Sequence, residues 1–568
     1  MLDHGELDRG RHVNYWDWDP ALRREVRRVL PDADEDDVTD KLHNLGRLMG
    51  DRIADNSDVV DREPPVLHTH DRDGEVVNEV ERHPRHVENE RLAFEAGCVA
   101  DSFRPPEGRD RPHPLTDSLA SYYLLCYSDV GLACAVSMTG GAALVLERHD
   151  PELGDYLDRL TRRDYGSLAQ GAMFITERQG GSDVGANETT AEWDGEEGCY
   201  RLSGEKWFCS NVDAEVPLVL ARTPGAPEGT AGLSMFVVPP EIQEDDDEVY
   251  RRLKDKLGTK SVPTGEVEFD GARAYMVGEE GRGFKYMTAM LNYERVTNAM
   301  GSCGGVARAL LEAKVHAANR EAFGRALDRH PLMQADLVWM TVEHEAATAF
   351  SFDAVRAFHG HYREDDEEAY RLMRAIVPVA KYVTGELAVE ISSYSMEVHG
   401  GDGYTEDWVT ERLLRDAQVA PIWEGTSNIL SLDLLRSMAK EASHEAVVDR
   451  LNSYLDDAEH PYLVDVADDA AVLARKLETS LEAVATGGES YAQLQAKRLA
   501  DELYDAYASA LLVSEAQDDV DDGDGRLALV ARYFVDSRDG GVRDDEFEIE
   551  WFDAISRYGE VDPDELPT

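Results

Sequence analysis

The spacing of apolar residues changes twice along this chain, and that change limits the fold more than any other feature. Up to about residue 168, and again from about residue 283, apolar residues recur every three or four positions. Between these stretches the runs are short and β-rich: YRLSGEKWFCS, EVPLVLAR, LSMFVVP and GEVEFDG, broken by Gly, Pro or Asn-Val-Asp. A helical period cannot serve as a strand period, so the order must be helices, then strands, then helices. The expected class is α+β and multidomain: an N-terminal helical domain (1–168), a small antiparallel barrel or sandwich (169–282), a C-terminal helical bundle (283–440) and a helical extension (441–568). The 568 residues suit about four units at about 150 residues each. No internal repeat is visible.

Within this outline, SLASYYLLCYSDVGLACAVSMTGGAALVL (118–146) reads as buried helix, and PPVLHTHDRDGEV (64–76) as a turn-rich connection. Leu372, Ile376, Val379, Val383, Leu387, Ile391, Tyr394 and Val398 form one long apolar stripe. Pro378 inside it predicts a kink, and Gly400-Gly401 a helix end.

Charge bounds the environment. There are 115 acidic residues against 58 basic, a net charge of −57, and acid recurs throughout, in ADEDD (33–37), QEDDDE (243–248), REDDEE (363–368) and AQDDVDDGDG (516–525). At 1 M salt the Debye length falls to about 3 Å, which screens such self-repulsion, so the surface reads as halophilic. Six scattered cysteines with no CxxC pair argue against a disulfide framework or a zinc ribbon. His68 and His70 lack further ligands, and no metal site is expected. The start of the chain has no apolar signal core, and no run of 18 apolar residues is found, so a cytoplasmic protein without a membrane span is expected.

Four motifs carry candidate chemistry. MFITERQGGSDV (173–184) offers hydroxyls at Thr176 and Ser182, and backbone bared by Gly180 and Gly181, although such a loop is often only a turn. GEKWFCSN (204–211) puts Trp207 beside Phe208, Cys209 and Ser210, where core packing is the plainer reading. NREAFGRAL (319–327) places Arg320 and Phe323 at a helix end, and a surface arginine would look the same. MEVHGGDGY (396–404), ERLLRD (411–416) and PIWEGTSN (421–428) follow, with Glu424 between Trp423 and Gly425.

Together, in order and spacing, TERQGGSD, EKWFCS, LGTKSVPTGEVEFDG…GEEGRGFKYM, REAFGR, HGGDGY and WEGT resemble the acyl-CoA dehydrogenases, over residues 90 to 437. TERQGGSDV, LKDKLG, PLM and IWEG…NI are most similar to the AidB-like branch of that family. The resemblance implies FAD without a Rossmann fold. Met173, Phe174, Ile175, Thr176 and Ser182 would line the flavin, with Trp207, Phe208, Cys209 and Ser210 beside it; Cys209 stands where many relatives carry a Thr. Arg320 and Phe323 would reach a neighbouring subunit's FAD, Gly400 and Gly401 its adenylate half, and Gly425, Thr426 and Asn428 would complete the site. Glu397 and Pro331 depart from the family's usual Gln.

The resemblance also implies the reaction: Glu424 takes the α-proton of an acyl-CoA thioester while a hydride leaves the β-carbon for flavin N5. Glu294, before Arg295 in LNYERVTNAMG, is the alternative base, because some relatives place it there. Ser182, Arg295 and Glu424 would touch substrate. Expected partners are an electron-transfer flavoprotein and other copies of the chain, as a homotetramer. A different reading is an AidB-like alkylation-stress or DNA-protection flavoprotein with little dehydrogenase activity. DNA binding rests on phosphate neutralisation by Lys and Arg, and residues 441–568 hold 33 acidic against 10 basic residues, which argues against it.

Overall fold

The computed structural model describes residues 1–244, 247–539 and 546–567. Two residues of the acidic run 243–248, and part of the extension, therefore lie outside the described residues. The chain divides into two compact units, Asp51–Thr297 and Met1–Gly50 with Asn298–Thr568.

The unit Asp51–Thr297 is built on a seven-stranded sheet. Cys199–Ser210 pairs antiparallel with Thr190–Asp194 on one side and Thr264–Val277 on the other. Leu233–Val237 joins Thr264–Val277 and turns back to pair with Val216–Arg222. Because Val216–Arg222 also meets Thr190, five strands close into a ring, with Gly171–Phe174 and Glu248–Leu253 added beside it. The sheet is mixed rather than purely antiparallel: Gly171–Phe174 runs parallel to Val216–Arg222. Its interior packs Leu202, Phe236, Val267 and Phe269 with Phe174 and Cys209.

The helices of this unit correct two readings. The stretch 118–146 is two helices, Leu115–Cys126 and Val130–His149, because the Asp129 side chain accepts from Leu132 N–H at 3.0 Å and starts a new helix. The segment read as a turn-rich connection is a β-hairpin, Val66–His70 with Val76–Glu81. Asn78 seats it on the strand Glu248–Leu253, donating to the Glu248 carbonyl at 2.8 Å and accepting from Tyr250 N–H at 2.9 Å. Val130–His149 is long and apolar enough to cross a membrane by length and composition, but 89% of its apolar window is buried inside the protein, as in a core helix.

In the other unit, Pro331–Glu364 and Glu367–His399 pack as long neighbours, and Glu367–His399 runs through Pro378 as one helix. Gly400, at φ +62°, ends it. The extension adds Pro461–Thr486, Glu489–Asp521 and Arg526–Asp539. It is anchored on Pro331–Glu364, where Asp353 accepts from the hydroxyls of Tyr454 (3.1 Å) and Tyr507 (2.5 Å). All six cysteines are buried thiols outside any disulfide, Cys303 in this unit and the other five in Asp51–Thr297.

Candidate active site

The candidate residues fall into two groups, one in each unit. In Asp51–Thr297, the strand Gly171–Phe174 leads into the TERQGGSD loop. A buried ion pair fixes this loop: Lys206 Nζ donates to Glu177 at 2.7 Å and to the Leu220 carbonyl at 2.9 Å. Glu177 also accepts from Glu188 N–H, Thr189 N–H and the Thr189 hydroxyl. Burial alone would lift the Glu177 carboxyl, but the Lys206 cation and these donors hold it below its ordinary range. Burial pulls the Lys206 ammonium down against the opposing effect of Glu177.

The loop is then tied to the Trp207 strand, as Trp207 N–H donates to the Thr176 carbonyl at 2.9 Å. Gly181 lies so close to Thr176 that a Cβ would come within 2.5 Å of its hydroxyl. Gly180, at φ +131°, has nothing within 4 Å of a Cβ, and Ser182 is exposed, so no side chain covers this backbone, although Gly180 N–H donates to the Glu177 carbonyl at 3.0 Å.

Cys199–Ser210 shifts register between Lys206 and Cys209, a bulge that re-aims its side chains. Phe208 becomes 54% exposed, Trp207 and Ser210 half-buried, and Cys209 fully buried. Trp207 carries two cations, Lys254 Nζ 3.4 Å and the Arg178 guanidinium 4.9 Å from the ring centroid. Phe174 and Cys209 belong to the sheet interior, burial pushes the Cys209 thiol up, and their side chains reach no open surface. Met173 and Thr176 are half-buried and Ile175 is nearly closed off.

Glu294 and Arg295 are both buried in this unit. Ser137, on the Val130–His149 helix, donates to Glu294 at 2.6 Å and also bonds Thr297 at 2.8 Å.

In the other unit, Arg320 directly follows the helix Gly283–Asn319 and is exposed. Phe323, at φ +51° and 96% exposed, tops the small hairpin that follows. Gly400 and Gly401 have nothing within 4 Å of a Cβ. Glu424 is half-buried, with one carboxylate oxygen enclosed, and adopts φ +57°, a conformation that costs a non-glycine residue about 1–3 kcal/mol. Gly425 follows at φ +111°. Thr426 and Asn428 are exposed at the start of the helix Ser427–Glu441, and Thr426 does not cap that helix with its own hydroxyl.

In Asp51–Thr297 the side-chain-free backbone at Gly180, the Ser182 hydroxyl and the aromatic shelf at Trp207 are chemistry that suits a flat ring system; in the other unit Gly400, Gly401 and the Thr426 hydroxyl leave room for a polar group to come close to backbone.

Comparison with known proteins gives this geometry a family. Residues 8–167 match the adaptive response protein AidB N-terminal domain, 172–272 the acyl-CoA dehydrogenase middle domain, and 281–439 the acyl-CoA dehydrogenase C-terminal domain. Acyl-CoA dehydrogenase family member 11 of Caenorhabditis elegans is 32% identical, over 92% of this chain and 87% of its own. The chain belongs to the acyl-CoA dehydrogenase family. It is accordingly an FAD-dependent oxidoreductase. The putative acyl-CoA dehydrogenase AidB of Escherichia coli is 36% identical, over 67% of this chain and 70% of its own. Among solved structures, C. elegans ACDH-11 in complex with C11-CoA has a TM-score of 0.87 at 29% identity, over 98% of this chain and 96% of its own. The likeness thus starts near residue 8 rather than 90 and takes in the extension.

Sequence reasoning missed Lys206, Glu177, Lys254 and Lys381. Lys206 had a signal, a cation at an inward position of a strand. Lys381 had another, a lysine whose neighbours one turn away, Val377 and Gly385, are non-polar.

Proposed function

We propose that the protein removes the α- and β-hydrogens of an acyl-CoA thioester, with Glu424 as the base and an electron-transfer flavoprotein as electron acceptor. The carrying observation is the backbone of Glu424. A left-handed glutamate followed by a left-handed glycine turns the chain sharply and presents a half-enclosed carboxylate at the head of Ser427–Glu441. Such strain persists where surrounding structure over-determines it, which is common at reactive groups.

The thioester α-proton is too weakly acidic for a free carboxylate, so the developing enolate oxygen needs donors, one of them the Glu424 backbone N–H. Half-burial shields the carboxylate and supports proton abstraction. Met173, Phe174, Ile175, Thr176, Ser182, Trp207, Phe208, Cys209 and Ser210 would line the flavin, some through backbone alone; Arg320, Phe323, Gly400 and Gly401 would reach the FAD of a neighbouring subunit, and Gly425, Thr426 and Asn428 would complete a cofactor site. Bound FAD supplies the hydride acceptor. Arg295 and Ser182 would meet the substrate. Glu294 is set aside as base because its Oε2 is engaged by Ser137 in helix packing. C11-CoA in the ACDH-11 complex supports a medium-chain thioester. The protein would work in the cytoplasm at high salt, as a homotetramer, in fatty acid or branched-chain amino acid catabolism.

The test is anaerobic titration of the yellow protein in molar KCl with a C11 acyl-CoA. Loss of the visible flavin band is the expected result, and an unchanged spectrum overturns the assignment.

The AidB match at residues 8–167 supports the second reading, a DNA-protective flavoprotein. Duplex binding that survives molar KCl would favour it; the acidic extension argues for none.

A further inference from the structure

Lys381 lies in the middle of Glu367–His399 and is fully buried. Taking an ammonium out of water is costly, so a buried lysine is retained where its cation does something a neutral side chain cannot. Its Nζ donates to the Gly425 carbonyl at 2.6 Å. Gly425 is the second of the two left-handed residues, directly after Glu424.

The rest of this turn is held from the same helix and from Gly283–Asn319. At Gly385, one turn beyond Lys381, a Cβ would come within 3.1 Å of the Ala420 carbonyl carbon and oxygen, so the turn backbone rests directly on the helix. Asn298 donates to the Ala420 carbonyl at 3.4 Å. Inside the turn, Ile422 N–H and Trp423 N–H both donate to the Val419 carbonyl, at 2.8 and 3.2 Å. The near end is therefore fixed at Ala420. On the far side of Glu424, the Lys381 ammonium holds the Gly425 carbonyl.

We propose that Lys381 is a positioning residue for the base: by holding the Gly425 carbonyl it locks the left-handed pair and aims the Glu424 carboxylate. The proposal rests on the reading of Glu424 given above. Glycine at 425 is free to rotate, so without a partner for its carbonyl the peptide after the base has several accessible orientations. A displacement of about 1 Å at a reacting group can lower a rate by about 100-fold.

The test uses the FAD-loaded full chain and a C11 acyl-CoA, mixed anaerobically with Lys381→Met and Lys381→Gln. Flavin reduction in Lys381→Met is expected to slow by about 100-fold, with FAD content and the half-saturating acyl-CoA concentration unchanged. Lys381→Gln keeps an N–H donor and is expected to recover part of the rate. Wild-type rates in Lys381→Met, or FAD and thioester affinity lost in step with rate, would overturn the proposal, as would a glutamine variant no faster than the methionine one. If Lys381→Met does not fold, Lys381→Gln decides: a slowed rate at unchanged affinity supports the role, and an unchanged rate refutes it. Glu424→Gln run alongside separates the two claims. Bleaching that survives in Glu424→Gln removes the base itself; bleaching lost there but normal in Lys381→Met removes only the positioning role.

Discussion

Arg526 and Glu345 face each other in the interior, with Arg526 Nη1 donating to Glu345 Oε2 at 2.9 Å and Nη2 donating to Oε1. This pairing ties the first turn of Arg526–Asp539, in the extension, to the middle of Pro331–Glu364. Arg24, from the helix Pro20–Val29, donates to the same carboxylate at 3.1 Å. Burial opposes the charge on Glu345, yet the two guanidiniums outweigh it and pull the carboxyl down to about 2.

Removing that charge should be expensive. Glu345→Gln removes the counter-charge of the buried Arg526 guanidinium, and one of those of the half-buried Arg24, and is expected to destabilise this unit by about 3–5 kcal/mol. Denaturant unfolding followed by circular dichroism measures it. A loss below about 1 kcal/mol would show that the pair is dispensable.

Exchanging carboxylate for amide also tests the two candidate bases. Glu424→Gln is expected to stay yellow and to lose flavin bleaching by acyl-CoA. Glu294→Gln is expected to bleach, with stability reduced only as far as a neutral amide oxygen accepts from Ser137 less strongly than a carboxylate. The reverse outcome would transfer the base to Glu294.

Acid should weaken the fold above the carboxylate range. Burial, followed by Lys314 and Arg557, lowers His4 from 6.5 to about 2, so it is neutral in the fold. The unfolded chain takes up a proton near pH 6.5 that the folded chain refuses, so the stability His4 contributes is present above pH 6.5 and falls as pH drops toward 2. At pH 5 the loss is about 2 kcal/mol. The melting temperature of His4→Gln is expected to fall less than wild type between pH 7.5 and pH 5. Parallel curves would contradict this.

Salt should act in the other direction. With a net charge of −57, self-repulsion is nearly unscreened in dilute buffer. The melting temperature is expected to rise from 0.1 M to 2 M KCl, conditions about which the Debye length falls from about 10 Å to below 3 Å. A flat response would remove the case for a halophilic surface.

The fold class was readable because a change of apolar period survives any detail of packing. Finer features depended on partners far away in sequence. The parallel pairing of Gly171–Phe174 with Val216–Arg222 leaves no trace in either strand alone. The hairpin at 66–81 is hidden by its polar alternation, and becomes a hairpin because Asn78 bonds to the strand Glu248–Leu253. At the site, motif spacing located the Glu424 turn but not the side chains that hold it. A bulge moved Cys209 inward, and no count of residues along a strand anticipates a bulge. Lys381 lies within a long, mostly apolar helix, and its partner, the Gly425 carbonyl, is 44 residues further along the chain.

The distribution of cysteines makes the protein its own reporter of partial opening. One thiol, Cys303, sits in the unit formed by Met1–Gly50 and Asn298–Thr568, and the other five sit in Asp51–Thr297, all shut away from reagent in the folded state. A thiol-trapping time course would therefore resolve which half loosens first: an early burst of five equivalents identifies one, a solitary early equivalent the other, with no label engineered into either.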